Sequence, residues 1–195
     1  MNGFISSSVP TPNYKRLMTF IDGENLVFQY QNLLNKGKSP NETVKHLEDV
    51  YAWSINAMYN LQYAEIIRAT YYTSATGSDE LLNTISSEIK RLKFKQGSYS
   101  ALPDNLQSYV IKKAKKEKKS KGVDIKMVVD ILSNVYQNNT DIVYILSGDG
   151  DFLPVIKECQ RNGKVIFLGA FEAGLNKSLL NYIDRFIPLE TCFFN

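Results

Sequence analysis

Histidine is nearly absent: His46 is the only one in 195 residues. A histidine-rich metal site, or any mechanism needing two imidazoles, is therefore excluded. Cysteine is almost as scarce. Cys159 and Cys192 cannot build a disulfide framework, and their spacing matches no zinc pattern. They read as reduced thiols in or near the core. Long apolar runs are missing too; none approaches the roughly 18–20 residues that a membrane-spanning helix needs. The first residues, Met1 to Asn13, are polar with scattered prolines and lack the apolar stretch of a signal peptide. The expectation is a cytoplasmic protein with no membrane partner, whose chemistry runs on carboxylates.

Net positive charge is also lacking outside one place. The formal net charge is +3, yet residues 112–121, KKAKKEKKSK, hold seven Lys against one Glu. The rest of the chain keeps 16 basic and 19 acidic residues and is mildly acidic. The length suits one domain with a full core. Residues 1–14 read as a flexible tail, and 15–195 as a single domain.

Short apolar runs ending in polar turns alternate with helical periodicity. Leu17 to Ile21 reads as a buried strand, and Asn25 to Leu34 as a helix. Val44, Leu47, Tyr51, Ile55 and Met58, spaced by threes and fours, predict a helix over Glu42 to Tyr59, within a helical insertion at about 36–60. Ala64 to Tyr72 is β-rich, and Ser78 to Phe94 is helix-like. Residues 97–111 read as strand plus loop, and Val123 to Tyr136 as a helix. Asp141 to Leu146 and Lys164 to Gly169 are further buried strands. They flank a helix from Phe152 to Asn162 closed by Gly163. A short helix over Ser178 to Ile183 and an edge strand over Phe186 to Leu189 finish the chain. Such alternation argues a mostly parallel sheet in a three-layer α/β/α, Rossmann-like fold, with function outside the carboxyl ends of the strands.

Two strands end in acid-rich turns: Ile21-Asp22-Gly23-Glu24-Asn25 and Leu146-Ser147-Gly148-Asp149-Gly150-Asp151-Phe152. If the strands are neighbours, Asp22, Asp149 and Asp151 gather at one edge, and Asp124 lies near a helix start. Gathered carboxylates repel at a cost of several kcal/mol when dry. A hard cation such as Mg²⁺ removes that cost and can activate water for phosphoryl displacement. Each residue has a plainer reading alone. An Asp-Gly pair is usually a turn, and Asp124 and Asp151 suit helix caps. Glu24 suits a first helical turn. Asp130, six residues after Asp124, points elsewhere on a helix and is taken as structural or supporting.

In their order, FIDGEN (20–25), KGVDIKMVVDIL (121–132), LSGDGDFLPVI (146–156), GKVIFLG (163–169) and SLLNYIDRF (178–186) resemble the NYN domain, most of all its LabA-like branch. These are PIN-like nucleases with a Rossmann-like fold, and the resemblance spans about residues 16–190. It implies a ribonuclease, endonucleolytic and dependent on Mg²⁺ or Mn²⁺, with Asp22, Asp124, Asp149 and Asp151 at the metal. Asn25 would orient a water or phosphate oxygen. Ser147 would bond a phosphate or simply make a turn, and Ser178 reads as a helix cap. Ile183 stands before Asp184 where the family often has Ala, a packing change.

The implied partner is RNA. The run beside Asp124 offers Lys112, Lys113, Lys115, Lys116, Lys118, Lys119 and Lys121 as phosphate-binding cations, against the plainer reading of a solvated loop. Tyr14, Tyr71, Tyr72, Tyr99 and Phe171 are candidates for stacking bases. A homodimer paired through 36–60 is left open. A non-catalytic RNA-binding or regulatory module is the alternative. A haloacid-dehalogenase-like phosphatase is disfavoured, because that chemistry needs a second Asp where Glu24 stands.

Overall fold

The computed structural model describes residues 14–61, 63–95, 104–114 and 121–195. The chain opens with β1 (Lys15–Asp22) and α1 (Gly23–Asn35). A hairpin follows, β2 (Lys45–Leu47) and β3 (Tyr51–Trp53), then a 3-10 segment over Ile55–Leu61. Next come β4 (Ala64–Ala75), α2 (Asp79–Ile89) and β5 (Gln107–Lys112). The second half runs α3 (Lys121–Tyr136), β6 (Ile142–Leu146), α4 (Leu153–Arg161) and β7 (Val165–Ala170). A 3-10 segment over Lys177–Tyr182, β8 (Arg185–Pro188) and α5 (Glu190–Phe193) complete it.

Six strands form one sheet in the order β5-β4-β1-β6-β7-β8, and every neighbouring pair is parallel. This bears out the three-layer α/β/α, Rossmann-like architecture. The central strands β1 and β6 are covered on both faces and are almost continuously apolar, as parallel strands must be. On one face, Leu17 and Ile21 join Leu26, Val27, Tyr30 and Leu33 of α1 with Ile85 and Ile89 of α2. On the other, Met18 and Phe20 join Val123, Met127 and Ile131 of α3 with Val155, Ile156 and Cys159 of α4. The chain builds outward from β1 through β4 to β5, then crosses back to β6 on the other side. The strand order therefore reverses between β1 and β6, the crevice where such sheets bind ligands. Parallel pairing of Ile21 with Leu146 sets Asp22 beside Ser147 there.

The expected helix over Glu42 to Tyr59 is a hairpin followed by a 3-10 segment instead. Lys45 pairs with Trp53 and Leu47 with Tyr51 in antiparallel register, and Asp49 takes a left-handed conformation (φ 56°) between them. Distant partners override the local periodicity. The Tyr71 hydroxyl donates to the Ala52 carbonyl (3.2 Å), and the Ala52 N–H donates back to it (3.1 Å). The Thr73 hydroxyl donates to the Val50 carbonyl (2.8 Å), and the Trp53 indole N–H to the Lys93 carbonyl (2.9 Å). These bonds come from β4 and the end of α2, so no short window could reveal them. A second correction concerns caps: Asn176, not Ser178, caps the last 3-10 segment, and the Ser178 hydroxyl donates to its Oδ1 (2.8 Å). Gly163 takes φ 70° after α4, as expected of a C′ residue.

Cys159 and Cys192 are buried, unpaired thiols, and burial pushes Cys159 up to about 12. Of the expected tail only Tyr14 is described. No helix among the described residues is long and apolar enough to cross a membrane.

The amino-terminal edge of the sheet is tied by a charge pair. The Arg16 guanidinium donates to both oxygens of Asp141 (3.1 and 2.9 Å), and the Arg16 N–H donates to the same carboxylate (2.8 Å). These bonds hold Asp141 at about 2, below its ordinary 3.8. A depressed carboxylate stabilises the fold above its unfolded value and loses that contribution as pH falls through the folded one. Thermal unfolding should therefore show stability falling as pH drops from about 4 to about 2. Asp141→Asn should lower the melting temperature at neutral pH and flatten that part of the profile.

Candidate functional site

Asp22 ends β1 and caps α1. Its carboxylate is fully buried. A buried carboxylate needs donors, and two flank it: the Asn25 N–H on Oδ1 (3.0 Å) and the Ser147 hydroxyl on Oδ2 (2.8 Å). The first comes from the opening turn of α1, whose positive dipole end favours the negative charge. The second crosses from the loop after β6. Asn25 returns the link, since its Oδ1 accepts the Gly148 N–H (3.2 Å). Ser147 Oγ also accepts the Asp149 N–H (3.1 Å), so one hydroxyl bridges Asp22 to the Asp149 backbone. Asp149 then caps the 3-10 turn Gly150–Phe152 through Oδ1 and the Asp151 N–H (3.0 Å).

The loop after β7 closes the arrangement. The Asn176 N–H donates to the Gly148 carbonyl (2.9 Å). A Cβ at Gly148 would run into the Gly174 carbonyl, and one at Gly150 into the Asn176 side-chain amide. Both glycines are needed for close approach, not for unusual backbone angles. Glu24, next along α1, accepts a short hydrogen bond from the Ser74 hydroxyl at the end of β4.

The structure thus brings together Asp22, Asn25, Ser147 and Asp149, with Asp149 half-buried and Asp151 exposed. The two caps are Asp22 and Asp149, where the sequence suggested Asp124 and Asp151. Asp124 is half-buried in the first turn of α3, beside the fully buried Val123. Among the described residues, no three His, Cys, Asp or Glu side chains are grouped to hold a metal. Asp22 and Asp149 each accept a backbone N–H on Oδ1. Asp130 is structural, accepting from the Tyr72 hydroxyl (2.9 Å) and from Lys126. Burial and the adjacent Asp130 push the Tyr72 phenol up.

Among the candidate cations, Lys112 pairs with Asp79 (3.0 Å), and the Lys113 N–H donates to the Ala75 carbonyl (3.0 Å). Both lie at the carboxyl end of β5. Lys121 opens α3. Lys115, Lys116, Lys118 and Lys119 fall outside the described residues, as does Tyr99. Tyr71, Tyr72 and Phe171 are core residues and cannot stack on a base; Tyr14 is exposed. Asn176 and Gly174 were not foreseen, because their partners lie more than twenty residues away in the chain.

Removing the bridging hydroxyl should be costly. Ser147→Ala leaves Asp22 one donor short and should lower unfolding stability by about 2 kcal/mol. Urea denaturation of the variant checks this, and Ser147→Thr, which keeps a hydroxyl, should recover part of the loss.

In comparisons with known proteins, residues 16–190 match the NYN domain. An uncharacterized protein of Methanocaldococcus jannaschii is 33% identical over 87 residues, which is 44% of this chain and 36% of that protein. The chain thus spans about a third of that relative's length. A crystal structure of a Vibrio parahaemolyticus protein of unknown function superposes with a TM-score of 0.57 at 15% identity. That match covers 96% of this chain and all of the other, and it shows a shared fold. With nearly the whole chain matched, from the second residue of β1 to the start of α5, this protein belongs to the NYN domain family.

Proposed function

We propose that this chain is a ribonuclease of the LabA-like kind, cutting RNA phosphodiesters endonucleolytically with the help of Mg²⁺ or Mn²⁺. NYN membership supports a nuclease-like, RNA-related role. The observation that carries the finer reading is the buried Asp22 carboxylate at the strand-order reversal, coupled through Ser147 to Asp149. A carboxylate is kept fully buried there and held by donors from two loops, which is pre-organisation at the place where such folds bind ligands.

The chemistry of the donors suits a hard cation. Asp22 and Asp149, linked through Ser147, offer only oxygen, and Mg²⁺ is commonly held by one or two carboxylates together with water and substrate phosphate; Asp124 and Asp151 are the further acids assigned to it. When bound, such an ion lowers the pKa of a water and offsets charge developing on the phosphate. The chain's own residues do the remaining work. Ser147 and the Asn25 N–H hold Asp22 in one orientation. Asn25 itself is fixed by the Gly148 N–H, and its amide is the group assigned to orient a phosphate oxygen or water. Lys112 and Lys113, with the following lysines of the run, draw a polyanion toward an otherwise acidic edge.

The absence of a three-carboxylate group among the described residues favours a second reading, a non-catalytic RNA-binding module. The two differ in an experiment. Asp149→Asn keeps the Oδ1 acceptor that caps the 3-10 turn, so the fold should persist by circular dichroism while cleavage of single-stranded RNA is abolished. Full cleavage by that variant overturns the carboxylate assignment. RNA binding that survives chelation, with no cleavage by the native protein over hours, establishes the module. Changing Lys112, Lys113, Lys115 and Lys116 to Gln should weaken RNA binding and flatten its dependence on log salt by up to about 3, at about 0.7 per lost contact.

A further inference from the structure

The site has a neighbour that the ribonuclease reading does not use. A cavity of about 840 Å³ runs from Glu24, along α1 past Phe28 and Gln31, to the tip of the β2–β3 hairpin. Its other wall is α2, and Ala75, Thr76 and Lys113 at the strand ends form one rim. A second cavity of about 520 Å³ continues beyond it, and the two share Phe28, Gln31, Glu48 and Asp49. Phe28 is 59% exposed at this junction, an aromatic ring left in solvent on a helix whose other apolar residues are mostly buried. Volumes of this order suit small-molecule and nucleotide ligands.

The polar lining is one-sided. Glu24, Glu48, Asp49 and Glu88 are carboxylates, and Lys113, at the strand-end rim, is the single cation among the described lining residues. Such a surface repels phosphates from its interior but accepts N–H groups. A single-stranded RNA can satisfy both demands by turning a base inward and leaving its phosphates at the Lys113 rim. Proteins commonly take up splayed RNA bases by aromatic stacking and hydrogen bonds to the base edge. Among the four bases, guanine presents two adjacent donors, N1–H and the N2 amino group, which one carboxylate can accept together. Uracil presents a single N–H flanked by two carbonyl oxygens, which a carboxylate repels. Asp49 is held in place: its N–H donates to the Gln31 side chain (3.2 Å), and its Oδ1 accepts from the same amide (3.1 Å). Glu48 beside it, exposed at the junction and lining both cavities, is the carboxylate placed to meet a base stacked on Phe28.

We infer that this groove is a guanine-selective base subsite, with Phe28 as stacking platform and Glu48 as acceptor for the guanine N1–H and N2–H edge. The inference rests on RNA being the substrate, and it adds a preference for guanine a short distance from the cleaved phosphate.

The test uses fluorescence anisotropy of the full chain with two labelled octamers, one all uridine and one carrying a single guanosine, in the presence of chelator. The guanosine octamer should bind about tenfold more tightly, since a bidentate side-chain contact to a base edge discriminates against the wrong base by a factor of roughly five to one hundred. Glu48→Gln should remove most of that advantage while changing all-uridine binding little, and Phe28→Ala should weaken binding of the guanosine octamer more than that of the all-uridine one. Both side chains are exposed, so the fold should tolerate the changes. Equal binding of the two octamers by the native protein overturns the inference, as does an advantage that survives both variants. A labelled octa-arginine peptide that loses affinity in both variants, while RNA binding does not change, assigns the groove to a cationic protein partner and also overturns it. Cleavage with Mg²⁺ is measured in parallel. A guanosine advantage without cleavage supports the subsite while refuting the ribonuclease reading, so the two failures are distinguishable.

Discussion

The hydrogen bond from the Ser147 hydroxyl to the Asp22 carboxylate is the constraint on which the site depends. It spans the one place in the sheet where neighbouring strands are separated by most of the chain. Parallel pairing of β1 with β6 sets the two residues side by side, and the helix dipole of α1 makes burying the charge tolerable. Everything nearby is keyed to it. Asn25 reaches Gly148, Ser147 reaches the Asp149 backbone, and the Asn176 loop locks over Gly148. Hydrogen bonds thus tie together three loops from three strands.

The same bonds fix the direction of two of these carboxylates. Asp22 Oδ1 faces the Asn25 N–H, and Asp149 Oδ1 faces the Asp151 N–H. Asp149 and Asp124 are half-buried, and Asp151 is exposed.

The architecture was legible because its signals are short-range. Leu17–Ile21 and Ile142–Leu146 are continuous apolar runs, which only doubly covered strands require, and each ends in a Gly- and Asp-rich turn. Asp22 and Asp149 stood out for that reason. The hairpin at 45–53 was not legible, because its formation rests on Tyr71, Thr73 and the Lys93 carbonyl, all remote in sequence. Val44, Leu47, Tyr51, Ile55 and Met58 satisfy a helical period by coincidence of spacing, and tertiary bonds decide against it. The Phe28 groove was hidden for a related reason. Phe28 lies among the apolar residues Leu26, Tyr30 and Leu33 of α1, and its exposure and its place beside the hairpin tip follow from tertiary structure alone.

The Arg16–Asp141 pair gives the molecule a division of labour between its two edges. All six strands run the same way, so the edge that carries this ion pair lies a full strand length from the edge that carries Asp22. Rigidity invested at one end is delivered to the other through the strands themselves. Sequence drift in the turns around the ion pair can therefore retune thermal tolerance with little effect on ligand geometry, and the loops of the opposite edge can diversify in specificity without loosening the frame that holds them.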